Sequence, residues 1–535
     1  MTLVDDAPTP ARPSAERDTS FWRTAWRIHF YAGIFAMPVL VLLAVTGLCI
    51  LYTDVLDDAQ FGDLHRAAST EVTSTLSEQQ RAVERSYPDW QIDAVTPPKE
   101  PGATTSFAVS TDDGETVLDV FVDPSTGEVV GDQSPGAGIV GLANRLHGTL
   151  NNESITVPMP TLAGILGDGP VLSDMAVGDL AVEIFACWAL VLAATGVYLW
   201  WPRKSGTSRA LFVPRLRSKG RARWRDLHAI PGIVLSVMLV FFVVTGMPWS
   251  AFWGANWSYV ASEVTPNESN FWEDAAPGSA IPEVGDLDRV GNRIPWATRE
   301  EQIPTSGSSG TSMPGMDHGD EPMPTAGQGS EDATTAKEVA ATVSLDVIEA
   351  AAADEHMLPG YSITLPSNDL ETDPANPSYG SFVLMNPWPS DIANQKAVYV
   401  DQFSGRTIST SSADSWGRLQ WTTELGVQTH MGTQFGVVSR IVMTTSCLLV
   451  IWAAFSGLVM FWKRRRSGTG FPRRPFDARL QRGMIIIAVV LALIYPLWGL
   501  SALVILLLDK YVVRRIGPLR RAFGMKDRPA DQLVS

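Results

Sequence analysis

The first long apolar segment, at residues 21–52, constrains the rest of the chain most strongly. It opens with aromatic and basic residues, presents His29 and then runs apolar to Thr46–Gly47. A second segment repeats the pattern, because His228 also stands 17 residues before a Thr-Gly pair, Thr245–Gly246. Segments of this length can cross a hydrocarbon core about 30 Å thick. The matched spacing predicts two related halves, each containing membrane spans.

Basic residues flank the apolar segments and predict their direction in the membrane. The loop at 202–227 carries nine Lys or Arg residues and a single acid, Asp226. Short loops rich in Lys and Arg stay on the cytoplasmic side. Residues 53–178 and 251–430 are then both expected to be extracytoplasmic.

The two outer regions contain similar patterns of soluble structure. In the first, LSEQQRAVERSYPDW has helical spacing, and QIDAVTP, TSFAVST and ETVLDVFVDPSTGEVVG read as strands. In the second, a helix is expected in SLDVIEAAAADEHM and strands in YSITLP, GSFVLMN and KAVYVDQFSGRTIST. Each half has an Asp-x-x-(Ser/Thr)-Gly turn between its last two strands. This order predicts two parallel repeats of span, outer α+β domain and span.

The predicted fold is a multi-pass α-helical membrane protein. It has a four-span core built as two parallel repeats, a C-terminal hydrophobic hairpin or fifth span, and two extracytoplasmic α+β domains. The predicted boundaries are a disordered cytoplasmic tail at 1–20, span one at 21–52, the first outer domain at 53–138, a membrane-surface connector at 139–178, span two at 179–201, a basic cytoplasmic loop at 202–227, span three at 228–250, a connector at 251–273, a disordered loop at 274–335, the second outer domain at 336–415, a connector at 416–435, span four at 436–462, a basic loop at 463–483, the hairpin or fifth span at 484–508 and a cytoplasmic tail at 509–535.

Histidines at the mouths of the four spans are the candidate functional residues. The predicted topology places His29 and His228 near the cytoplasmic face and His147 and His430 near the outer face. Because a helix rises 1.5 Å per residue, the 17 residues after His29 cover roughly 25 Å. Two facing neutral imidazoles can ligate the iron of a b-type haem. We therefore expect His29 and His228 to face each other across one iron.

Small residues near these histidines are predicted to leave room for a porphyrin, and the candidates are Gly33, Gly232, Gly432 and Gly436. Two other interpretations of the histidines stay open at this point. They can be half-buried interfacial residues bonded to loop carbonyls, or they can belong to a proton relay in which Glu183 is the main intramembrane carboxylate.

The polar loop at 274–335 contains a second candidate site. Within SMPGMDHGDEPMP, soft thioethers and one imidazole suit copper ions, Cu(I) above all, and these residues are Met313, Met316, His318 and Met323. A disordered loop with scattered methionines explains the same composition.

Several classes of function are disfavoured by composition and motifs. A net charge of −16 does not suit nucleic-acid binding. The three cysteines all lie in apolar runs, so that neither a disulfide framework nor a CxxC metal site is available. No G-x-G-x-x-G motif or P-loop occurs, so a reductase of this sequence would take its electrons from quinol or a separate electron-donor protein.

These motifs together resemble the PepSY-associated transmembrane family, which includes iron-regulated inner-membrane proteins and haem-containing siderophore reductases. The resemblance rests on WRIHFYAG…TGLCILY, NRLHGTL, DLAVEIFACWALVLAATGVYLWW, DLHAIPG…TGMPW and THMGTQFGVVSR…SGLVMFWKR. It covers roughly residues 20–510, interrupted by the loop at 274–335. The two outer domains resemble PepSY modules.

The resemblance implies a b-type cytochrome of the bacterial cytoplasmic membrane with one or two haems b. Such a protein would pass electrons outward to a ferric siderophore or similar metal complex, as a haem-dependent ferric-siderophore reductase. His29, His147, His228 and His430 match the family's span-mouth histidines. The chain departs from regular spacing, with 48 residues between His147 and Thr195 but 26 between His430 and Ser456.

Two alternatives from other functional classes remain. The PepSY-like modules can be binding or inhibitory domains that the spans merely anchor. The chain can also be a copper- or iron-handling transport protein that uses the methionine and histidine loop.

Overall fold

The computed structural model describes residues 14–111, 114, 116–167, 169–201, 215, 220–264, 306, 342–369, 378–386, 389–465 and 482–523. The candidate copper residues Met313, Met316, His318 and Met323 lie outside these described residues. The helices, in chain order, are α1 (Ser14–Leu51), α2 (Thr53–His65), α3 (Leu76–Ser86), α4 (Gly138–Thr149), α5 (Leu162–Leu166), α6 (Val177–Trp200), α7 (Arg221–Gly246), α8 (Ala251–Val264), α9 (Leu345–Asp354), α10 (Arg418–Met431), α11 (Val437–Arg465), α12 (Arg482–Ile494), α13 (Pro496–Leu508) and α14 (Gly517–Ala522). The strands are β1 (Gln91–Thr96), β2 (Thr105–Ser110), β3 (Val117–Asp123), β4 (Glu128–Gln133), β5 (Thr156–Pro160), β6 (Leu172–Ala176), β7 (Ser362–Thr364), β8 (Asn368–Asp369), β9 (Ser378–Tyr379), β10 (Ser381–Met385), β11 (Lys396–Asp401) and β12 (Thr407–Ser412).

Four long apolar helices form a bundle. They pack in the ring order α1, α6, α7 and α11, so that α1 and α7 lie diagonally opposite. Small and branched side chains fill the centre, and Ala36 and Ala189 are completely buried there. The outward faces stay apolar and exposed, as at Val237 and Ile441, which is what contact with lipid tails requires.

Five segments are long and apolar enough to cross a membrane, namely Phe21–Leu51, Val177–Trp200, Arg221–Trp249, Val437–Arg465 and Pro496–Val513. The chain is therefore a multi-pass membrane protein. Some boundaries differ from the prediction. Helix α1 begins at Ser14, inside the predicted disordered tail, and α8 and α10 are regular helices within the two segments expected to be connectors.

The sheet corrects the prediction of two separate outer domains. Strands from both halves form one eight-stranded antiparallel sheet in the order β12-β11-β10-β7-β1-β2-β3-β4. The halves meet where β1 pairs with β7, through the partners Ala94↔Thr364 and Val95↔Ile363. Apolar side chains of both halves then share one core. Two separate four-stranded sheets would each expose an edge strand, and this pairing covers both edges.

The two Asp-x-x-(Ser/Thr)-Gly turns have similar geometry. Asp123 accepts a hydrogen bond from the backbone N–H of Ser125 (2.8 Å), and Asp401 accepts one from Phe403 (2.9 Å). The turn glycine has a φ of +73° in the first half and +69° in the second, a left-handed conformation that favours glycine. That the halves are true repeats stays a prediction.

The C-terminal apolar region bends sharply between α12 and α13. A Cβ built on Gly499 would lie 2.7 Å from the Cβ of Ala492, although residues seven apart in a straight helix are separated by about 10 Å. Near the bend, Trp253 Nε1 donates to the carbonyl of Ile494 (3.1 Å) at the end of the bundle nearer the sheet. Beyond α14, the carbonyl of Phe523 accepts a hydrogen bond from the Tyr31 hydroxyl (3.5 Å), close to His29 at the opposite end. These contacts favour the hairpin over a single span.

The pairing of β1 with β7 can be tested by cross-linking. In a variant without native cysteines, Ala94→Cys with Thr364→Cys should oxidise to a disulfide, because paired strands lie about 4.8 Å apart. Ala108→Cys with Thr364→Cys is the matched control, since Ala108 lies one strand further away. Non-reducing gels after cleavage at an engineered protease site between the halves measure the link. Equal cross-linking of both pairs would contradict the continuous sheet.

An ion pair ties the end of α9 to β11 and predicts a pH effect. Lys396 Nζ lies 2.7 Å from Glu355 Oε2, and this pairing holds the pKa of the Glu355 carboxyl below its usual range. The carboxylate therefore stabilises the fold above about pH 4.5, and that contribution is lost as the pH falls through the lowered folded-state pKa. We expect Glu355→Gln to cost about 0.5–1 kcal/mol at pH 7. Thermal unfolding of the variant and the wild type should converge near pH 3, and a constant difference would exclude the ion pair as the cause.

Candidate functional site

The four span-mouth histidines lie in two pairs. His29 on α1 and His228 on α7 face each other across the bundle diagonal, with ring centroids 6.3 Å apart and planes at 82°. We call them the distal pair, because they lie at the end of the bundle away from the sheet. His147 on α4 and His430 on α10 form the sheet-side pair. Burial and the nearby His147 lower the pKa of His430 to about 4, and burial lowers the pKa of His147.

Each imidazole is hydrogen-bonded through Nδ1 to a hydroxyl on a neighbouring helix. The four distances are almost equal, at 3.0 Å for His29–Thr195, 2.9 Å for His147–Thr46, 2.9 Å for His228–Ser456 and 3.0 Å for His430–Thr245. The sequence analysis noted these Thr and Ser residues only as markers of repeated spacing. The structure makes them the partners of the histidines.

The hydroxyls fix the protonation of the rings. Each hydroxyl donates its one proton to the carbonyl four residues earlier in its own helix, as Thr195 does to Val191 (2.6 Å) and Ser456 to Trp452 (2.8 Å). The hydroxyl oxygen must then accept from the imidazole, so that Nδ1 carries the hydrogen. In a neutral ring this leaves the lone pair on Nε2, which is the form that binds a metal.

A glycine follows each of the four hydroxyl residues and lets the ring lie against the helix. A Cβ at Gly196, Gly47 or Gly246 would come within 3.2–3.4 Å of the imidazole Cε1 of His29, His147 or His430. At Gly457 the corresponding distance to His228 is 3.8 Å. The sequence signal for the site is therefore the (Thr/Ser)-Gly pair in each helix of the bundle.

The glycines that were predicted to give clearance play mixed roles. A Cβ at Gly232, one turn after His228, would meet no atom within 4 Å, and one at Gly33 would meet only Leu192 at 3.8 Å. By contrast, Gly432 ends α10 with a φ of +76° and Gly436 has a φ of +55°. These last two are explained by the turn between α10 and α11, which is a correction to the prediction.

Pro231 helps to place the distal pair. Proline has no N–H, so the carbonyl of Leu227 lacks its usual donor within α7. Trp452 of α11 donates to it through Nε1 at 2.9 Å. This bond joins α7 to α11 one residue from His228. The sequence analysis did not identify Trp452.

The sheet-side histidines are on helices outside the bundle, and each is attached to the sheet. The turn after α10 is held by the hydrogen bond from Ile392 N to Gln434 Oε1 (2.8 Å) and by that from Phe435 N to the Ser390 carbonyl (3.2 Å). Helix α4 is attached to α2 through Gln60, which accepts from Ile139 N (2.9 Å).

The longer connection after His147 does not displace this residue. The extra chain forms β5, α5 and β6, a hairpin that ends directly at the start of α6. Gly178 then lets the end of α4 pack closely on α6, since a Cβ there would overlap the carbonyl oxygen of Thr149. His147 therefore bonds Thr46 just as His430 bonds Thr245.

Within the described part of the chain, no group of three or more His, Cys, Asp or Glu side chains is arranged to hold a metal ion. The histidine pairs supply two nitrogen ligands each. This is the number that axial ligation of a haem requires.

Comparisons with known proteins identify the family. A search of curated proteins finds no match to the chain. A family model described as the PepSY-associated TM region matches residues 26–464, which include all four bundle helices, the sheet and both histidine pairs. The chain therefore belongs to the PepSY-associated transmembrane family.

Proposed function

We propose that this protein is a b-type cytochrome of the bacterial cytoplasmic membrane. It passes electrons across the bilayer to a ferric siderophore or similar metal complex on the side of the sheet. The observation that carries the proposal is the fourfold contact between an imidazole Nδ1–H and a helix hydroxyl, which leaves Nε2 of each ring as a ligand.

The residues present fit a haem. An iron roughly 2 Å from each Nε2 would separate two imidazole centroids by about 6 Å, and the distal pair has 6.3 Å. The hydroxyls supply the second hydrogen bond that metal-ligating histidines almost always make. The open space beside Gly232 adds room at the distal pair. A haem bound between two histidines supplies one-electron redox chemistry at its iron.

Charge determines the proposed direction of transfer. The basic loop at 202–227 and the residues from Lys463 to Arg466 both adjoin the distal end of the bundle. By the positive-inside rule this end is cytoplasmic, so the sheet is extracytoplasmic. Because Thr46 and Thr245 bond the sheet-side pair 17 residues from His29 and His228, the two pairs are separated by roughly 25 Å along the bundle. Such a separation suits two redox centres, one near each membrane face.

The reductase proposal is preferred to the two alternatives by the same contact. A module that is merely anchored by its spans has no need of four ring-to-hydroxyl contacts inside the bundle. Copper transport through the methionine loop rests on Met313, Met316, His318 and Met323, which lie outside the described residues. The electron donor in this proposal is a quinol or a separate protein.

The haem proposal predicts an optical spectrum. Protein purified in detergent should show a reduced-minus-oxidised difference spectrum with Soret and α bands of a low-spin b-type haem. His228→Ala should remove the haem of the distal pair, while His430→Ala should remove that of the sheet-side pair. Gel filtration and circular dichroism check that both variants are folded. Folded, membrane-inserted protein without haem, purified from haem-replete cells, would contradict the proposal.

The hydroxyls should tune haem binding at their own pair. We expect Thr195→Val to weaken haem retention at the distal pair by about 10–100-fold, because the imidazole of His29 loses its orienting bond. Thr245→Val should have the same effect at the sheet-side pair. Thr444→Val is the matched control, since its hydroxyl bonds Tyr52 and no histidine. Haem transfer to apomyoglobin measures retention, and equal retention in all three variants would show that the hydroxyls do not orient the ligands.

A further inference from the structure

Glu183 is a buried carboxyl group that the histidine pairs leave unexplained. It lies in α6, 12 residues from Thr195, and is only 1% exposed. Its Oε2 accepts the backbone N–H of Trp253 (3.0 Å) at the start of α8. Its Oε1 has no hydrogen-bond partner among the described residues. The nearby Ser250 hydroxyl donates instead to the carbonyl of Met247 (2.9 Å).

A buried donor without a partner lies on the helix that packs against this part of α6. Trp498 of α13 is 7% exposed, and within the described residues its Nε1 has no acceptor. Its ring contacts Trp188 of α6 at 5.7 Å, and the preceding residue, Leu497, packs with Leu180 and Ile184. The first turn of α13 therefore faces the stretch of α6 that carries Glu183. An unsatisfied buried polar group costs about 1–3 kcal/mol, so two of them together point to an absent hydrogen-bonding ligand.

Aromatic rings form the walls of this junction between α6, α8 and α13. Trp253 stacks on Tyr495 with centroids 6.2 Å apart, and Trp188 packs beside Trp498. Beyond Trp498 the outer face of α13 is apolar and exposed, with Leu500 56% and Leu503 52% accessible, as suits a lipid-facing surface. A flat, lipid-soluble molecule can therefore approach the junction from the bilayer.

We infer that the junction of α6, α8 and α13 binds a para-hydroquinone, with one hydroxyl on Glu183 Oε1 and the opposite oxygen on Trp498 Nε1. A para-hydroquinone has a polar oxygen at each end of an aromatic ring, which matches one acceptor, one donor and aromatic walls. The inference rests on the proposed function, because it names the donor of the electrons and its site.

The chemistry balances as an oxidation of the hydroquinone to the quinone. Two O–H bonds break, and two protons and two electrons leave. Glu183 Oε1 accepts each proton in turn and passes it to Asp179, one helical turn nearer the sheet and partly exposed. The Asp179 carboxylate is held there by the N–H of Ala251 (3.0 Å). The two electrons pass singly to one-electron acceptors of the ferric haem class at the histidine pairs.

The test uses the purified full chain in lipid nanodiscs, with a short-chain ubiquinol and its oxidised quinone as probes. Stopped-flow spectroscopy follows haem reduction by the ubiquinol, and equilibrium dialysis follows binding of the quinone. Glu183→Gln should slow reduction by at least about 100-fold while reduction by dithionite stays unchanged, because it removes a proton acceptor. Trp498→Phe should weaken quinone binding by about 10-fold, the loss of one hydrogen bond. Asp174→Asn, an exposed carboxylate in β6, is the control and should match the wild type in both measurements.

The outcomes separate this inference from the proposed function. Folded protein without haem refutes the cytochrome, and quinone binding with its Trp498 dependence then decides the site alone. Protein with dithionite-reducible haem that ubiquinol reduces equally fast in the wild type and Glu183→Gln overturns the inference and leaves the cytochrome intact. Quinone binding that is unaffected by Trp498→Phe also overturns the assignment of the site.

Discussion

The hydrogen bond between an imidazole Nδ1 and a hydroxyl on the next helix is the interaction on which the candidate site depends. The hydroxyl gives its only proton to its own helix, so the ring must donate, and its free nitrogen then faces the partner histidine. The same bond connects α1 to α6 and α7 to α11 at the distal end. Assembly of the bundle and preparation of the ligands are therefore one event.

The two pairs differ in what holds them. Both distal histidines belong to bundle helices, so packing of α1, α6, α7 and α11 is enough to place them. The sheet-side histidines sit on α4 and α10, which are attached to the two halves of a single sheet. Because β1 pairs with β7, the sheet restrains both attachments together. This gives the continuous sheet a role beyond covering its edges, since it determines how far His147 can move from His430.

Local patterns in the sequence were sufficient for much of the fold. Alternation of apolar residues predicted β1–β4, β7 and β10–β12, and the 17-residue spacing from histidine to Thr-Gly predicted which histidines share a level. Pairing of β1 with β7 was missed, because it joins segments far apart in the chain and no turn sets its register. The hydroxyl partners were missed for a similar reason. Each lies on a different helix from its histidine, and only the packing of the bundle brings them together.

The position of Glu183 bears on how charge moves through the protein. It lies on α6 between the levels of the two histidine pairs, and the next carboxylate, Asp179, lies toward the sheet. A proton released at Glu183 would therefore leave toward the same side as an electron that reaches the sheet-side pair. Transfer of both together moves little net charge across the bilayer, so that the membrane potential, worth about 2.3 kcal/mol per charge at 100 mV, opposes the reaction only weakly. An electron that came instead from a soluble donor at the distal end would cross the full potential alone, and on this ground a donor within the bilayer suits outward electron transfer better.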